Sequence, residues 1–469
     1  MSRGIVAYGA YLPHYRLGRA AIGSALGSGG GKGTRSVASY DEDTTSMGVE
    51  AARVALAAAP GAAPMGVYFA TTAPAYLDKT NASTIHAALG LDTAALAVDM
   101  LGAVRSGIGA LRAAVDASAP TLAVLADVRT GLPGGADERD GGDAAIAFLM
   151  GSGEQVVAEL VAAASASSEF LDRWRVPGES HSRVWEERFG EQAYVPLVEQ
   201  AVADAVKQAG IAADAVDHVV VAGTHARVVR RVQAMLGAGE DFTATIGNTG
   251  TAHAGLLLAD ALDRATPGQL IALVSVADGA DVLLLRATDA LPALQARNAA
   301  SVAALVAGTA AEVDYATFLT WRGVIRREPP RRPDPFRPES PAAYRGRDWK
   351  YAFVGSRCTA CATLHLPSQR VCVQCGAVDQ MAPESLAGRT GRIATFTVDH
   401  LAYTLNPPVV VTVVDFEGGG RIQCELTDVD PATVAIGQPV EMTFRRLYTA
   451  GGVHNYFWKA RPARAAAQA

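Results

Sequence analysis

Through residues 1–290, short apolar runs alternate with longer stretches in which Ala, Leu and Val recur at helical spacing. Met65-Gly66-Val67-Tyr68-Phe69-Ala70, Thr121-Leu122-Ala123-Val124-Leu125-Ala126 and His218-Val219-Val220-Val221-Ala222 are short and apolar, and each reads as a buried strand. Gln192 to Gly210 reads as a helix. Strands alternating with helices predict an α/β region. The pattern also repeats weakly. A strand at 121–126 precedes an apolar run at 142–150, and a strand at 270–276 precedes another at 278–285. Two halves, about 1–155 and 156–290, are therefore expected to end each in a pair of antiparallel strands and to stack as layers.

After residue 290 the pattern changes. Residues 291–350 become rich in Arg and Pro, with Arg327, Pro329, Pro330, Arg331, Pro333, Pro335 and Arg337 close together. Such proline density disfavours helix and predicts an extended connector, the alternative being a phosphate-binding arm. Residues 381–469 carry β-branched runs at 391–398, 409–416 and 440–444, with turns at Glu417-Gly418-Gly419-Gly420 and Ile436-Gly437-Gln438. These predict a small all-β barrel of the OB type.

The chain has 469 residues, enough for two or three domains. Hydrophobic residues make up 49% and charged residues 19%, which favours a folded chain over a disordered one. A net charge of -6 and few basic residues interleaved with aromatics argue against nucleic acid as a partner. Residues 54–77 lack charge, but Pro60, Gly61, Pro64 and Gly66 would break a membrane helix. The first residues lead directly into a strand, Gly4-Ile5-Val6-Ala7, so no signal segment is expected.

All five cysteines follow residue 357. Cys358-Thr359-Ala360-Cys361 and Cys372-Val373-Gln374-Cys375 are two C-x2-C knuckles. Four thiolates at this spacing close a tetrahedral Zn2+ site with no open position, which makes its role structural. Residues 351–380 are thus expected to be a zinc ribbon, and metal-spaced cysteines point to a reducing cytoplasm. Cys424 reads as a packed strand residue instead. Ribbon plus barrel, with Val354-Gly355-Ser356-Arg357-Cys358 and the run His365 to Cys372, resembles the rubredoxin-like zinc-ribbon/OB-fold family that accompanies acyl-CoA enzymes.

Residues 1–290 resemble the thiolase superfamily, and within it hydroxymethylglutaryl-CoA synthase. The resemblance is carried by Gly4 to Pro13, Tyr40-Asp41-Glu42-Asp43-Thr44-Thr45-Ser46-Met47, Asp172-Arg173-Trp174-Arg175, Thr224-His225-Ala226 and Ile246-Gly247-Asn248-Thr249-Gly250. It implies a duplicated α-β-α-β-α fold, a homodimer and a coenzyme A thioester as substrate. In such enzymes a nucleophilic Cys opens a buried helix. Here that segment reads Asp99-Met100-Leu101-Gly102-Ala103-Val104-Arg105-Ser106, so Val104 takes the cysteine's seat and Ser106 lies two residues beyond. The synthase's general acid/base Glu is likewise replaced, within Ala70-Thr71-Thr72-Ala73-Pro74-Ala75-Tyr76.

The resemblance leaves His225 and Asn248 as the pair that would hold a thioester carbonyl or enolate. Arg227, Arg230 and Arg231 are candidates for coenzyme A phosphates, or form a solvated helix face. His253 points to the same cavity or to packing; Tyr8 and Tyr76 are candidate proton donors. The expected function is acyl-CoA or acyl-carrier dependent carbon–carbon bond formation or cleavage without a cysteine acyl-enzyme. The alternative is a non-catalytic acyl-CoA-binding scaffold for a cysteine-bearing thiolase.

Overall fold

The apolar runs of the first 290 residues form one nine-stranded sheet in the computed structural model of this chain, which describes residues 2–185, 188–331, 333 and 335–464. Its strands are β1 (Arg3–Tyr11), β2 (Gly66–Thr71), β3 (Leu96–Leu101), β4 (Thr121–Val128), β5 (Asp143–Ser152), β6 (Ala158–Ala166), β7 (His218–Gly223), β8 (Leu270–Val276) and β9 (Ala280–Ala287). Five helices matter for the site: α1 (Thr44–Ala58), α2 (Ser106–Asp116), α3 (Gly190–Ala209), α4 (Ala226–Leu236) and α5 (Thr251–Arg264).

The strand order is β7-β8-β9-β6-β1-β5-β4-β2-β3. On one side of the β6–β1 junction the order β1-β5-β4-β2 repeats, on the other, as β6-β9-β8-β7. Pairing senses repeat too. β2 and β4 run parallel, as do β7 and β8, while β4–β5 and β8–β9 are antiparallel. The expected pair of antiparallel strands thus closes each half, and β3 alone has no counterpart. The halves meet through a short antiparallel pairing of Gly4 and Ile5 with Glu159 and Ala158. A Cβ on Gly4 would lie 1.9 Å from the Ala158 carbonyl oxygen, so only glycine admits this approach.

β4, β5, β8 and β9 are almost wholly buried, as expected of strands covered on both faces. α1 packs on β1, β4 and β5, and α3 on β6, β8 and β9. α2 and α5 pack on each other, and α5 touches strands of both halves. The layers are therefore α-β-α-β-α. Where α2 meets α5, a Cβ on Gly107 would come 2.7 Å from Leu125 Cδ2 and 3.0 Å from the Thr251 carbonyl, so the glycine sets the helix separation.

This α/β unit reaches Phe318, beyond the expected end at 290. Leu291–Arg297, Val302–Ala307 and Tyr315–Trp321 are helices where an extended connector was expected. The Ser301 hydroxyl caps the second of them through the Ala304 amide, and apolar Leu291, Leu294, Val302, Val306 and Phe318 are buried. Proline density begins only at Pro329, and segments 340–345 and 347–352 are again short helices.

The second unit comprises Leu319–Ala469 together with Tyr40–Glu42 and His86–Gly90. It contains a three-stranded ribbon, β10 (Val354–Cys358), β11 (Leu364–His365) and β12 (Met381–Ser385). Behind it lies a closed barrel of β13 (Thr390–Asp399), β14 (Val409–Phe416), β15 (Arg421–Leu426), β16 (Pro439–Ala450) and β17 (Val453–Pro462). Strand order β13-β14-β15-β17-β16, with β15 and β17 parallel, is the five-stranded Greek-key closure of an OB fold. β14 alternates buried and half-buried residues along its length, and Cys424 is a buried residue of β15.

Candidate active site and metal centre

The carboxyl ends of β2, β3, β4 and β7 and the amino ends of α2 and α5 carry the candidate catalytic residues. β3 ends at Leu101. Gly102 then adopts φ 106, and its amide donates to the Thr71 carbonyl at the end of β2. This left-handed turn, open to glycine at little strain, throws the chain into α2. Val104 sits half-buried at the crest of that elbow, two residues before the helix begins. Ser106 opens the helix, and its hydroxyl turns back to the Leu101 carbonyl at 3.4 Å.

Arg105, which sequence reasoning passed over, fixes the crest. Its guanidinium grips both oxygens of Asp281 at 2.8 and 3.2 Å and donates to the Asp278 carbonyl at 2.7 Å. Those partners lie in the β8–β9 hairpin of the other half. Asp278 is held at φ 51, a conformation that side chains rarely adopt. Burial and the neighbouring Asp172 carboxylate raise its carboxyl above the usual range, with Arg105 opposing. A cleft of about 420 Å³ lies here, lined by Ala103, Arg105, Ser106, Arg112, Ser165 and Asp278 among others.

His225 follows β7 and caps α4: its Nδ1 accepts from the Val228 amide at 3.3 Å. In the neutral ring the proton therefore sits on Nε2. That nitrogen is buried and has no hydrogen-bond partner among the described residues. It faces Gly190 at the start of α3, where a Cβ would lie 2.3 Å away. Tyr194 sets its ring edge against the imidazole, centroids 6.3 Å apart, and donates its hydroxyl to Asp172 at 3.0 Å. Neither Gly190 nor Tyr194 was singled out from the sequence, because nothing local marks a glycine whose missing side chain accommodates a residue 35 positions on.

Asn248 lies in the turn before α5. Its Nδ2 donates to the Gly223 carbonyl at 2.7 Å, two residues before His225, and its Oδ1 accepts from the Gly250 amide at 3.0 Å. One amide hydrogen remains without an acceptor among the described residues. The same turn is anchored by Asp127, wholly buried at the end of β4. One oxygen of Asp127 accepts from the Thr71 hydroxyl and from the Thr72 amide and hydroxyl; the other accepts from the Thr251 amide at 2.8 Å. Asp127 thus ties the end of β2 to the amino end of α5, where a carboxylate also complements the helix dipole.

The remaining candidates fall elsewhere. Arg227, Arg230 and Arg231 are exposed on α4, and Arg227 pairs with Glu191 at 2.9 Å. His253 is buried in α5, its Nδ1 3.4 Å from the Thr249 hydroxyl, so it belongs to packing. Burial pushes its imidazole down to about 4. Tyr8 donates to Asp263 at 2.6 Å, and burial with that carboxylate raises its phenol above the usual range. Tyr76 is half-buried beneath the Lys79 ammonium, 5.9 Å from its ring centroid.

In the second unit the sulfurs of Cys358, Cys361, Cys372 and Cys375 all lie within 4.8 Å of one another. The Cys361–Cys372 and Cys358–Cys375 separations are 3.5 and 3.8 Å. Zn–S bonds of about 2.3 Å in a tetrahedron require sulfurs about 3.8 Å apart, so the donor set fits Zn2+. The Cys424 thiol stands apart from them, raised to about 11 by burial.

Comparison with known proteins agrees with this architecture. The family described as "ChsH2, C-terminal OB-fold domain" matches residues 384–445. Hydroxymethylglutaryl-CoA synthase of Caldivirga maquilingensis is 31% identical over 349 residues, 70% of this chain and 99% of that protein. The Picrophilus torridus synthase is 29% identical over 69% of this chain and 97% of its own length. The solved structure of an HMG-CoA synthase complexed with CoA superposes with a TM-score of 0.58 at 17% identity, covering 68% of this chain and 89% of that one. 3-Oxoacyl-(acyl carrier protein) synthase III of Pseudomonas aeruginosa gives 0.55 at 20%, covering 62% and 99%. The chain belongs to the hydroxymethylglutaryl-CoA synthase family of the thiolase superfamily, with an OB-fold domain fused behind the α/β unit.

Proposed function

We propose that this protein makes or breaks a carbon–carbon bond on a coenzyme A or acyl-carrier thioester, and does so without an acyl-enzyme. One observation carries the reading: Val104 occupies the crest of the β3–α2 elbow, and its hydrocarbon side chain can neither attack nor leave. The substrate then reacts while still attached to its own sulfur. As negative charge develops on the thioester oxygen, the His225 Nε2–H donates to it, and the spare amide hydrogen of Asn248 adds a second donor. Loss of an α-carboxylate as CO2 leaves its electron pair on the enolate. The enolate carbon attacks an acceptor carbonyl while the carbonyl oxygen takes a proton from solvent. In the cleaving direction a β-hydroxy thioester gives its hydroxyl proton to solvent, its Cα–Cβ bond breaks and the enolate is protonated. Ser106 has no part in this chemistry, since its hydroxyl is turned to the strand end.

The setting is a cytoplasmic protein with a structural Zn2+ on its four clustered cysteines. β3 forms one edge of the nine-stranded sheet and pairs only with β2 among the described residues. Leu96 at its start is 54% exposed. Such an edge invites pairing with a second copy, which supports a homodimer.

Incubation with acyl-CoA followed by intact-protein mass spectrometry tests the reading. The expected result is turnover with no covalent acyl adduct, and loss of turnover in His225→Ala with coenzyme A binding retained. A stable adduct on the first 290 residues, or undiminished turnover in His225→Ala, would overturn it. Absence of turnover in the wild type would favour a binding role.

A further inference from the structure

β7 and β8 run parallel, with Gly223 in register with Val276. His225 stands two residues beyond Gly223, and Asp278 two residues beyond Val276. Both therefore leave the same end of the sheet, on neighbouring strands about 4.8 Å apart. Tyr194 joins them. Its ring edge meets the His225 imidazole, and its phenol is raised by burial and by the Asp172 and Asp278 carboxylates. On its other side Asp278 belongs to the hairpin that Arg105 ties to the crest of Val104, and it lines the same cleft as Ala103, Arg105 and Ser106.

Two carboxylates line this cleft. Asp281 spends both oxygens on Arg105. Asp278 meets Arg105 only through its backbone carbonyl, and its carboxylate accepts no hydrogen bond among the described residues. The residue is exposed, so its carboxyl exchanges protons with water in the cleft. Burial by the surrounding protein raises that carboxyl above the usual range, Asp172 and Glu169 add to the effect, and Arg105 and Arg173 oppose it. Asp278 has φ 51 and Gly279 φ 135. Asn or Gly would serve such a turn as well, so the backbone does not account for a carboxylate here.

The thioester chemistry leaves one proton without a residue. His225 and Asn248 hold the thioester oxygen, whereas the oxygen of the acceptor carbonyl gains a proton on bond formation and loses one on cleavage. We propose that Asp278 carries this proton between substrate and solvent, as general acid in the forming direction and general base in the cleaving one. This rests on the thioester reading above and adds a catalytic residue to it. In bond formation the enolate carbon attacks the carbonyl carbon, the C=O pair moves to oxygen, and that oxygen takes the proton of the Asp278 carboxyl, which water then restores. In cleavage the Asp278 carboxylate takes the β-hydroxyl proton, the O–H pair closes to C=O, and the Cα–Cβ pair passes into the enolate, which solvent protonates.

3-Hydroxybutyryl-CoA and 3-hydroxy-3-methylbutyryl-CoA serve as probes, cleaved to acetyl-CoA with acetaldehyde or acetone. Rates are measured across pH for the full-length wild type, for Asp278→Asn, which keeps the turn, and for Asp278→Gly, which leaves room for formate. Thermal unfolding is the folding control. Asp278→Asn should lower kcat about 100-fold or more with KM within about threefold of wild type. The wild-type rate should fall as pH drops, because the carboxylate is the active form, and this acid limb should vanish in Asp278→Gly. Formate should restore the rate of Asp278→Gly by about tenfold. A kcat in Asp278→Asn within about fivefold of wild type would overturn the proposal. So would an acid limb unchanged in Asp278→Gly, or a rate that formate leaves unrestored. Unfolding of both variants would overturn it too, by giving Asp278 a purely structural part. Failure of the wild type to cleave either probe would instead remove the thioester reading itself.

Discussion

The Asp41 carboxylate lies 2.9 Å from the Lys459 ammonium, and both side chains are closed to solvent. Asp41 comes from the short segment Tyr40–Glu42 that belongs to the barrel unit. Around it, Arg445 pairs with Asp41, Glu42 and Asp428, and Lys459 also reaches Glu425 at 2.6 Å. Burial alone would depress Lys459, but Asp41, the Tyr40 phenol and Glu425 outweigh it and hold the ammonium above its usual range. Removing the carboxylate takes a partner from each of two buried cations, leaving Arg445 with Glu42 and Asp428 and Lys459 with Glu425. Asp41→Ala should destabilise the barrel unit by about 3–5 kcal/mol, the usual consequence of breaking one partner of a buried ionic group. Chemical denaturation followed by tryptophan fluorescence reads this out, since Trp458 is fully buried on β17. A loss below about 1 kcal/mol would show that the network is solvated.

The packing of Gly190 against His225 leads to a second expectation. Gly190→Ala puts a methyl 2.3 Å from Nε2 and 2.6 Å from Cδ2, so the imidazole has to move. A shift of about 1 Å in a catalytic donor costs on the order of 100-fold in rate. Turnover should therefore drop by about that factor while coenzyme A affinity stays within twofold of wild type. Equal turnover in Gly190→Ala and wild type would mean that His225 does not act in the geometry it has here.

For the zinc centre, the expected outcome is stoichiometric zinc in purified protein, lost in Cys372→Ser. Four-thiolate sites contribute on the order of 10 kcal/mol to folding of their module. Chelation at neutral pH should therefore release the metal together with protection of the ribbon amides, which hydrogen exchange measures over 354–385. Retention of that protection in a zinc-free sample would show that the ribbon holds by itself.

How much of this was visible in the chain depends on how local the signal is. The cysteine knuckles and the strands at 121–128, 270–276 and 409–416 are written in consecutive residues, so spacing alone reveals them. The repeat was legible because each half must bury its own strands. Val104 was reached only through the resemblance to enzymes whose nucleophilic Cys follows Asp-x-x-x-Ala, here Asp99 to Ala103. Arg105 meeting Asp281, Asp127 meeting Thr251, and Asp41 meeting Lys459 are different in kind. They join residues 124 to 418 positions apart in sequence, and no periodicity connects such partners. The helices at 291–307 were hidden because the prolines and arginines downstream dominate the composition of that window.

His253 links the core to pH. It is buried in α5 and its imidazole is pushed down to about 4, against about 6.5 in an unfolded chain. Above pH 6.5 the ring is neutral in both states and contributes no pH dependence. As pH falls below 6.5 the unfolded chain takes up the proton first, because the folded site resists it. Stability therefore declines between about pH 6.5 and 4 and levels off below, where both states are protonated. A gap of this size corresponds to about 3 kcal/mol. His253→Gln removes the titrating group while keeping polar atoms near Thr249, so urea denaturation from pH 7 to 4 should show a shallower fall than wild type. The carboxylates contribute their own acid sensitivity to both proteins, which is why the difference between the two curves is the quantity to read. Parallel curves through this window would mean that the buried ring picks up its proton as readily folded as unfolded.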